Sequence, residues 1–295
     1  MKLYTAGWNP EKLGGAHSFL RNFRKIFNDQ LVDDPRKADI YFIPSISMLE
    51  KLSVIPKDKK IVVRIDNILK RSCNRDIYPF EGDKITMMEA MRFVCQRADL
   101  VIYQSQWAKE LLDDYLKPKK SVVILNSVDE SIFFPGTGIP TDKEIYFYSR
   151  SSNHDNKGWH NVYYYYQELH KRKVGRELWI AGRFSPENIP RNFDFFNGEK
   201  IRYLGFIQDP EAMALTFRTA KHFIYSYSHD CCSNTLIEAL LSGTDVIYLE
   251  ESGGAREIKE AFEKYGREYF YLQRMGEEYK KAFGGKCAQA AAASH

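Results

Sequence analysis

No apolar run in this 295-residue chain approaches the roughly 20 residues needed to cross a bilayer. Long blocks of lysine or arginine are missing too. The 43 basic and 39 acidic residues leave a net charge of +4, too little to argue for a nucleic-acid binder and compatible with a small anionic ligand. Cysteine is scarce: Cys73, Cys95, Cys231, Cys232 and Cys287. None forms a C-x-x-C pair, which argues against a zinc site, and two adjacent cysteines cannot easily bridge each other. With no signal-peptide pattern at the start either, a reducing, cytosolic compartment is expected. A D-x-D carboxylate pair for a divalent ion is absent, so no metal is expected. G-x-G-x-x-G does not follow the first strand, which argues against a nicotinamide-dependent dehydrogenase.

What is present is the composition of a globular protein, 44% hydrophobic and 28% charged, with 14% aromatics to fill a core. Strand-like runs alternate with helical patterns. The first series is "MKLYTAG", "ADIYFIPS", "KIVVRIDN", "ADLVIYQS" and "SVVILNSV", separated by stretches such as "GAHSFLRNFRKIF" and "ITMMEAMRFVCQR". Strands apolar on both faces predict a parallel sheet covered by helices. "ESIFFPGTGIPTDKE" then breaks the pattern and reads as a linker. A second series follows: "KEIYFYSR", "ELWIAGR", "KIRYLGF", "HFIYSYS" and "TDVIYLE". The expected architecture is α/β, with two doubly wound Rossmann-like domains facing across a cleft, at 1–135 and 143–270. A helix over 271–286 would pack back on the first domain, and the alanine-rich 287–295 reads as disordered.

Ligands of doubly wound sheets bind at the carboxyl ends of the strands, and polar residues gather there. "HDCCSNTLIEALLSG" places Asp230 in a loop eight positions before Glu238, inside a predicted helix. Leu236, Ala239, Leu240 and Leu241 supply the apolar stripe, Ser233 or Asn234 the N-cap, and Gly243 the stop. Asn234 and Glu238 share one face. The free N–H groups near Ser233, Asn234 and Thr235 would favour an anion. "YSRSSNHDNKG" delivers Arg150 and Lys157, two usual holders of phosphate oxygens. Gly14 and Gly15 open a helix after the first strand, where backbone N–H groups can approach a phosphate. Taken singly, each feature has a bland alternative: a solvated glutamate, solvated cations, an ordinary turn. Their joint occurrence at strand-to-helix turns is more specific than any one of them.

With these residues in view, the chain resembles glycosyltransferase family 4, retaining nucleotide-sugar transferases of GT-B fold. The match is strongest over "HDCCSNTLIEALLSGTDVIYLEESGGAREI", and "ADLVIYQSQWAKELL", "NSVDESIFFP" and "YSRSSNHDNKG" look like further family segments. The resemblance implies that Arg150 and Lys157 grip a donor diphosphate, that Gly15 faces the same phosphates, and that Glu238 holds the ribose. It places Asp230 on the transferred sugar and Phe206 and Ile207 beside the nucleobase. Asp230 departs from the family's usual glutamate by one methylene. Asp66 stands near the point where the family often has a histidine, with His17 another polar candidate; whether either takes part in catalysis stays open.

The function so implied is retaining transfer of a sugar from a UDP-, GDP- or similar nucleotide sugar to a hydroxyl of a glycan, lipid or other acceptor. No cofactor beyond this co-substrate is expected. A non-catalytic nucleotide-sugar-binding subunit of a glycan assembly system is the alternative. "SFLRNFRKIF" mixes Phe19, Leu20, Phe23, Ile26 and Phe27 with Arg21, Arg24 and Lys25. Core packing with a solvated basic edge is one account of it; peripheral contact with anionic lipid is the other.

Overall fold

The computed structural model describes residues 1–11, 15–48, 58–67, 77–80, 83–150, 159–170, 176–182, 195–196, 199–251 and 253–284. The chain forms two compact units, one of Met1–Ser127 with Tyr271–His295 and the other of Val128–Phe270.

The first unit is a three-layer α/β/α sandwich. Its strands are β1 (Leu3–Thr5), β2 (Ile40–Ile43), β3 (Lys60–Ile65), an antiparallel hairpin of β4 (Ile77–Phe80) and β5 (Asp83–Thr86), then β6 (Leu100–Tyr103) and β7 (Ser121–Val123). The main sheet is parallel, ordered β1-β2-β3-β6-β7. Leu31 adds a parallel bridge to Leu3, so β1 is the place where the chain turns from one side of the sheet to the other.

Alternating side chains explain the layering. Ile40, Phe42, Val62, Leu100 and Ile102 pack with Phe19, Leu20, Phe23 and Phe27 of helix α1 (Gly15–Phe27) and with Met275, Tyr279 and Phe283 from the C-terminal part of the chain. Tyr41, Ile43, Val63, Val101 and Tyr103 face α2 (Met87–Arg97) and α3 (Gln106–Leu116) instead. The aromatic residues of α1 are therefore spent on the core, not presented outward. Residues 85–86, expected at the start of a helix, belong to β5.

The second unit holds β8 (Glu144–Arg150), α4 (Trp159–His170), β9 (Arg176–Gly182), β10 (Phe195–Phe196), β11 (Glu199–Gly205), α5 (Pro210–Thr219), β12 (His222–Tyr227), α6 (Asn234–Leu241), β13 (Asp245–Glu251) and α7 (Gly253–Tyr265). Its sheet runs β10-β11-β9-β8-β12-β13, parallel except for β10. The stretch 131–142 lies on this unit: Arg218 donates to the Ile132 carbonyl, and the Ile139 N–H donates to the Thr219 hydroxyl. The last helix, α8 (Leu272–Phe283), packs on α1 at Gly276, where a Cβ would stand 2.7 Å from Ile26. Lys60 fastens the far end of α8 by donating to the Phe283 carbonyl at 2.7 Å.

Candidate functional site

In the second unit the strand order reverses between β8 and β12. From β8 the chain moves outward to β9 and β11; it then returns to β12 on the other side and on to β13. Such a switch point is where a doubly wound sheet offers a crevice beyond its carboxyl ends. The pairing shows the crevice opening. The β8–β12 register covers only Tyr146↔His222 and Phe147↔Phe223, whereas β8–β9 continues to Arg150↔Gly182 and β12–β13 to Tyr227↔Glu251.

Residues expected at a ligand site stand at this point. Arg150 is the last residue of β8. Beyond β12 the chain makes a tight polar turn: the Asp230 carboxylate accepts from the Cys232 N–H at 3.2 Å, and His229 Nδ1 meets the Ser228 hydroxyl at 2.6 Å. The side chains of Cys231 and Cys232 are buried. Ser233 is the N-cap of α6, its hydroxyl accepting from the Leu236 N–H at 3.3 Å. That satisfies one of the four N–H groups a helix start leaves open.

Helix α6 then presents two faces. Leu236, Ile237, Ala239 and Leu241 are buried, while Asn234, Thr235 and Glu238 are half-exposed on the other side. Leu240, expected in the apolar stripe, is half-exposed, and Ile237 takes its place. The helix ends as its sequence predicts. Gly243 has φ +79°, its N–H donates to the Leu240 carbonyl, and the Thr244 N–H donates to that of Ala239. This is the paired closure a left-handed glycine permits.

The Asp230 turn is wedged from below. A Cβ on Gly254, in the first turn of α7, would collide with the Cys231 carbonyl and stand 2.6 Å from that of Asp230. Two helix N-termini, those of α6 and α7, thus adjoin one short loop. Phe206 and Ile207 lie half-buried just past β11, ahead of α5, whose cap Asp209 accepts from the Glu211 N–H. Lys157 and Gly14 lie outside the described residues.

In the first unit, Gly15 is the first residue of α1, and a Cβ there would meet no atom within 4 Å. His17 is buried near Trp8, ring centroids 6.4 Å apart. Asp66 follows the carboxyl end of β3 and is half-exposed. The exposure is not at the carboxyl, which is enclosed: that burial pushes its pKa up, opposed by the Arg64 charge, a hydrogen bond with Ser45 and its own backbone N–H. Sequence reasoning missed Arg64 and Gly254. An arginine inside an apolar strand was a signal for the first, since an unpaired charge is almost never fully buried. The sequence shows the second only as half of a glycine pair; its contact with a loop more than twenty residues earlier is tertiary.

Among the described residues, no three His, Cys, Asp or Glu side chains meet in an arrangement that could hold a metal ion. No helix among them is long and apolar enough to cross a membrane.

No protein-family model matches the chain, and no curated protein matches it by sequence. Solved structures do match. Sucrose-phosphate synthase from Thermosynechococcus elongatus aligns with TM-score 0.61 at 15% identity, over 91% of this chain and 78% of that one. The catalytic domain of starch synthase IV from Arabidopsis thaliana, bound to ADP and acarbose, aligns at 0.58 and 12%, over 94% and 79%. The pneumococcal O-GlcNAc transferase GtfA, in complex with UDP and GlcNAc, aligns at 0.56 and 14%, over 92% of this chain but only 60% of that one. The neighbours are GT-B glycosyltransferases, and the fold of this chain is GT-B.

Proposed function

We propose that the protein is a retaining glycosyltransferase of the family 4 type, moving a sugar from a nucleoside diphosphate sugar to a hydroxyl. One observation carries the reading: the Asp230 turn and the capped start of α6 follow β12 at the switch point of the second sheet, and its neighbour there, β8, ends at Arg150. The complexes of similar fold with UDP and ADP support the donor class.

The chemistry follows from charge. The bond from the anomeric carbon to the diphosphate oxygen breaks, and its electron pair stays on the diphosphate. A new bond forms from the same carbon to the acceptor oxygen. The α6 N–H groups, Arg150 and Lys157 stabilise the departing charge, a large term in a preorganised site. Glu238 accepts from the ribose hydroxyls, and Asp230 contacts the sugar. Phe206 and Ile207 border the base. No side chain is assigned as covalent nucleophile. The acceptor attacks on the face the diphosphate leaves, and the leaving phosphate takes the acceptor proton. No metal is required while these cations carry the charge.

A second reading, a nucleotide-sugar-binding subunit without turnover, is favoured by the engagement of Asp230 with the Cys232 N–H, which gives that carboxylate a structural task in its loop. Asp230→Asn separates the two. If Asp230 touches the sugar, turnover falls while affinity for the free nucleoside diphosphate holds. If the variant weakens the free diphosphate as much as the sugar donor, Asp230 only shapes the loop. A wild-type protein that binds donors without hydrolysing or transferring them supports the second reading.

A further inference from the structure

The basic residues of α1 play no part in the site above, and the fold sets them beside a second basic helix. α1 carries Arg21, Arg24 and Lys25 and no acidic residue. α8, packed against it at Gly276, carries Arg274, Lys280 and Lys281 against Glu277 and Glu278. The excess of four positive charges on these two helices equals the net charge of the whole chain, +4. The layer on the other face of the sheet leans the opposite way. α2 holds Glu89, Arg92 and Arg97, and α3 holds Lys109 with Glu110, Asp113 and Asp114. The first unit is thus electrically one-sided.

Helix dipoles explain part of this. Arg24, Lys25, Lys280 and Lys281 stand in last turns, where cations are favoured. The same rule favours acids in first turns, and neither helix has one there. The cations therefore exceed what the dipoles ask for. Lys25, Lys280 and Lys281 are exposed. Arg274 is turned inward, bonded to the Leu125 and Asn126 carbonyls and paired with Glu278.

Between the two helices lies a groove of about 380 Å³. Lys25 and Ile26 line it from α1, and Leu272, Gln273, Gly276, Glu277 and Lys280 from α8. Its lining is mainly apolar, with one lysine from each helix. On another side of α1, Trp8 is half-buried, with the Arg24 guanidinium 4.9 Å from its ring centroid. Tryptophan is the side chain that settles at the headgroup level of a bilayer.

We propose that the outer faces of α1 and α8 form a docking face for an anionic lipid surface, with a headgroup phosphate held between Lys25 and Lys280. The contact is electrostatic. Phe19, Leu20, Phe23 and Phe27 are buried in the core, so the apolar stripe of α1 is not offered for insertion. A second copy is the poorer occupant, because two faces of the same sign repel. Both helices cover a face of the sheet, so docking there leaves the carboxyl ends of its strands open.

Sedimentation with vesicles tests this on the full chain without donor or acceptor, so the result is independent of the glycosyl-transfer reading. The vesicles are phosphatidylcholine alone, or with about 30% phosphatidylglycerol. Wild type should bind the anionic vesicles at least about tenfold more tightly than the neutral ones. Raising NaCl from about 0.05 M to about 0.5 M should remove most of that preference. One basic residue near an anionic surface strengthens binding about fivefold, so Lys25→Gln with Lys280→Gln should weaken it roughly 25-fold. Lys109→Gln with Lys119→Gln removes as many charges at α3 and just past it, and should cost less than about threefold. Melting temperatures check that both pairs fold. Should the first pair not fold, Lys281→Gln alone should cost about fivefold. Equal binding to the two vesicle types, no binding, or equal losses from both pairs overturns the proposal. So does binding to heparin without binding to vesicles, which makes the face a polyanion site. A wild-type dimer that the Lys25 and Lys280 changes dissociate overturns it as well, since the face is then an interface between copies.

Discussion

Replacing Gly254 by alanine tests whether the α7 start sets the position of the Asp230 turn. The added Cβ would stand 2.5 Å from the carbonyl carbon of Cys231. Ordinary carbon contacts begin near 3.5 Å, so the two backbones must separate by about 1 Å. No flexible side chain can absorb this, because the colliding atoms are backbone. Overpacking of this kind costs about 1–3 kcal/mol, and alanine's better helix propensity returns at most about 1 kcal/mol. We therefore expect a melting temperature lower by a few degrees and a folded protein at room temperature. The same displacement moves Asp230 and the α6 N–H groups, and a misplacement of about 1 Å near reacting atoms can cost roughly 100-fold in rate. Thermal unfolding and donor hydrolysis should be measured on one preparation. Wild-type stability with wild-type turnover would refute the packing argument. Lost stability with unchanged turnover would show that the Asp230 turn lies outside the site.

Gly15→Ala provides the opposite case: its Cβ enters open space, so the melting temperature should hold or rise slightly, while donor affinity falls if a phosphate approaches that backbone. Glu238→Gln should cost about 1.5–3 kcal/mol of donor binding through the ribose; titration with a ribose nucleotide and its 2′-deoxy analogue checks this, and an unchanged preference makes Glu238 a solvated helix residue. Glu144 holds the base of the second sheet. Its carboxyl is pulled from 4.5 down to about 2, first by a hydrogen bond from Lys221, then by those from Arg176 and His222. A depressed carboxyl contributes stability above its unfolded pKa and loses it as pH falls through the folded one. Melts of wild type and Glu144→Gln should therefore differ at about pH 6 and converge between about pH 4.5 and 2; a gap independent of pH would contradict the assignment.

How far the sequence alone reached is clear from particular elements. All ten strands of the two alternating series could be read because each is an apolar run flanked by turn residues, and a parallel sheet buries both faces. The α6 segment was legible down to its Gly243 stop and to a cap at Ser233 or Asn234, of which Ser233 is the cap, since both are local chemistry. The β4–β5 hairpin was not, because Pro79 argues against a strand and Ile85 continues a helical pattern. Arg64 looked like one more strand residue; only its pairing with Asn126, more than sixty positions on, gives it a role. Gly254 was visible as half of a glycine pair, but its contact with the Asp230 turn is tertiary. Local signals found the places where a ligand could sit, whereas the groups that hold those places rigid come from distant strands.

The central claim is that a nucleoside diphosphate sits against the start of α6, at the end of β8. Calorimetric titration of UDP, GDP and ADP into wild type and Arg150→Ala tests it most directly. One of the three should bind wild type saturably, and Arg150→Ala should weaken it by roughly tenfold or more, the loss of a charge-assisted hydrogen bond, with the melting temperature of the free protein unchanged. If none of the three binds, or if Arg150→Ala binds as tightly as wild type, the diphosphate does not lie there.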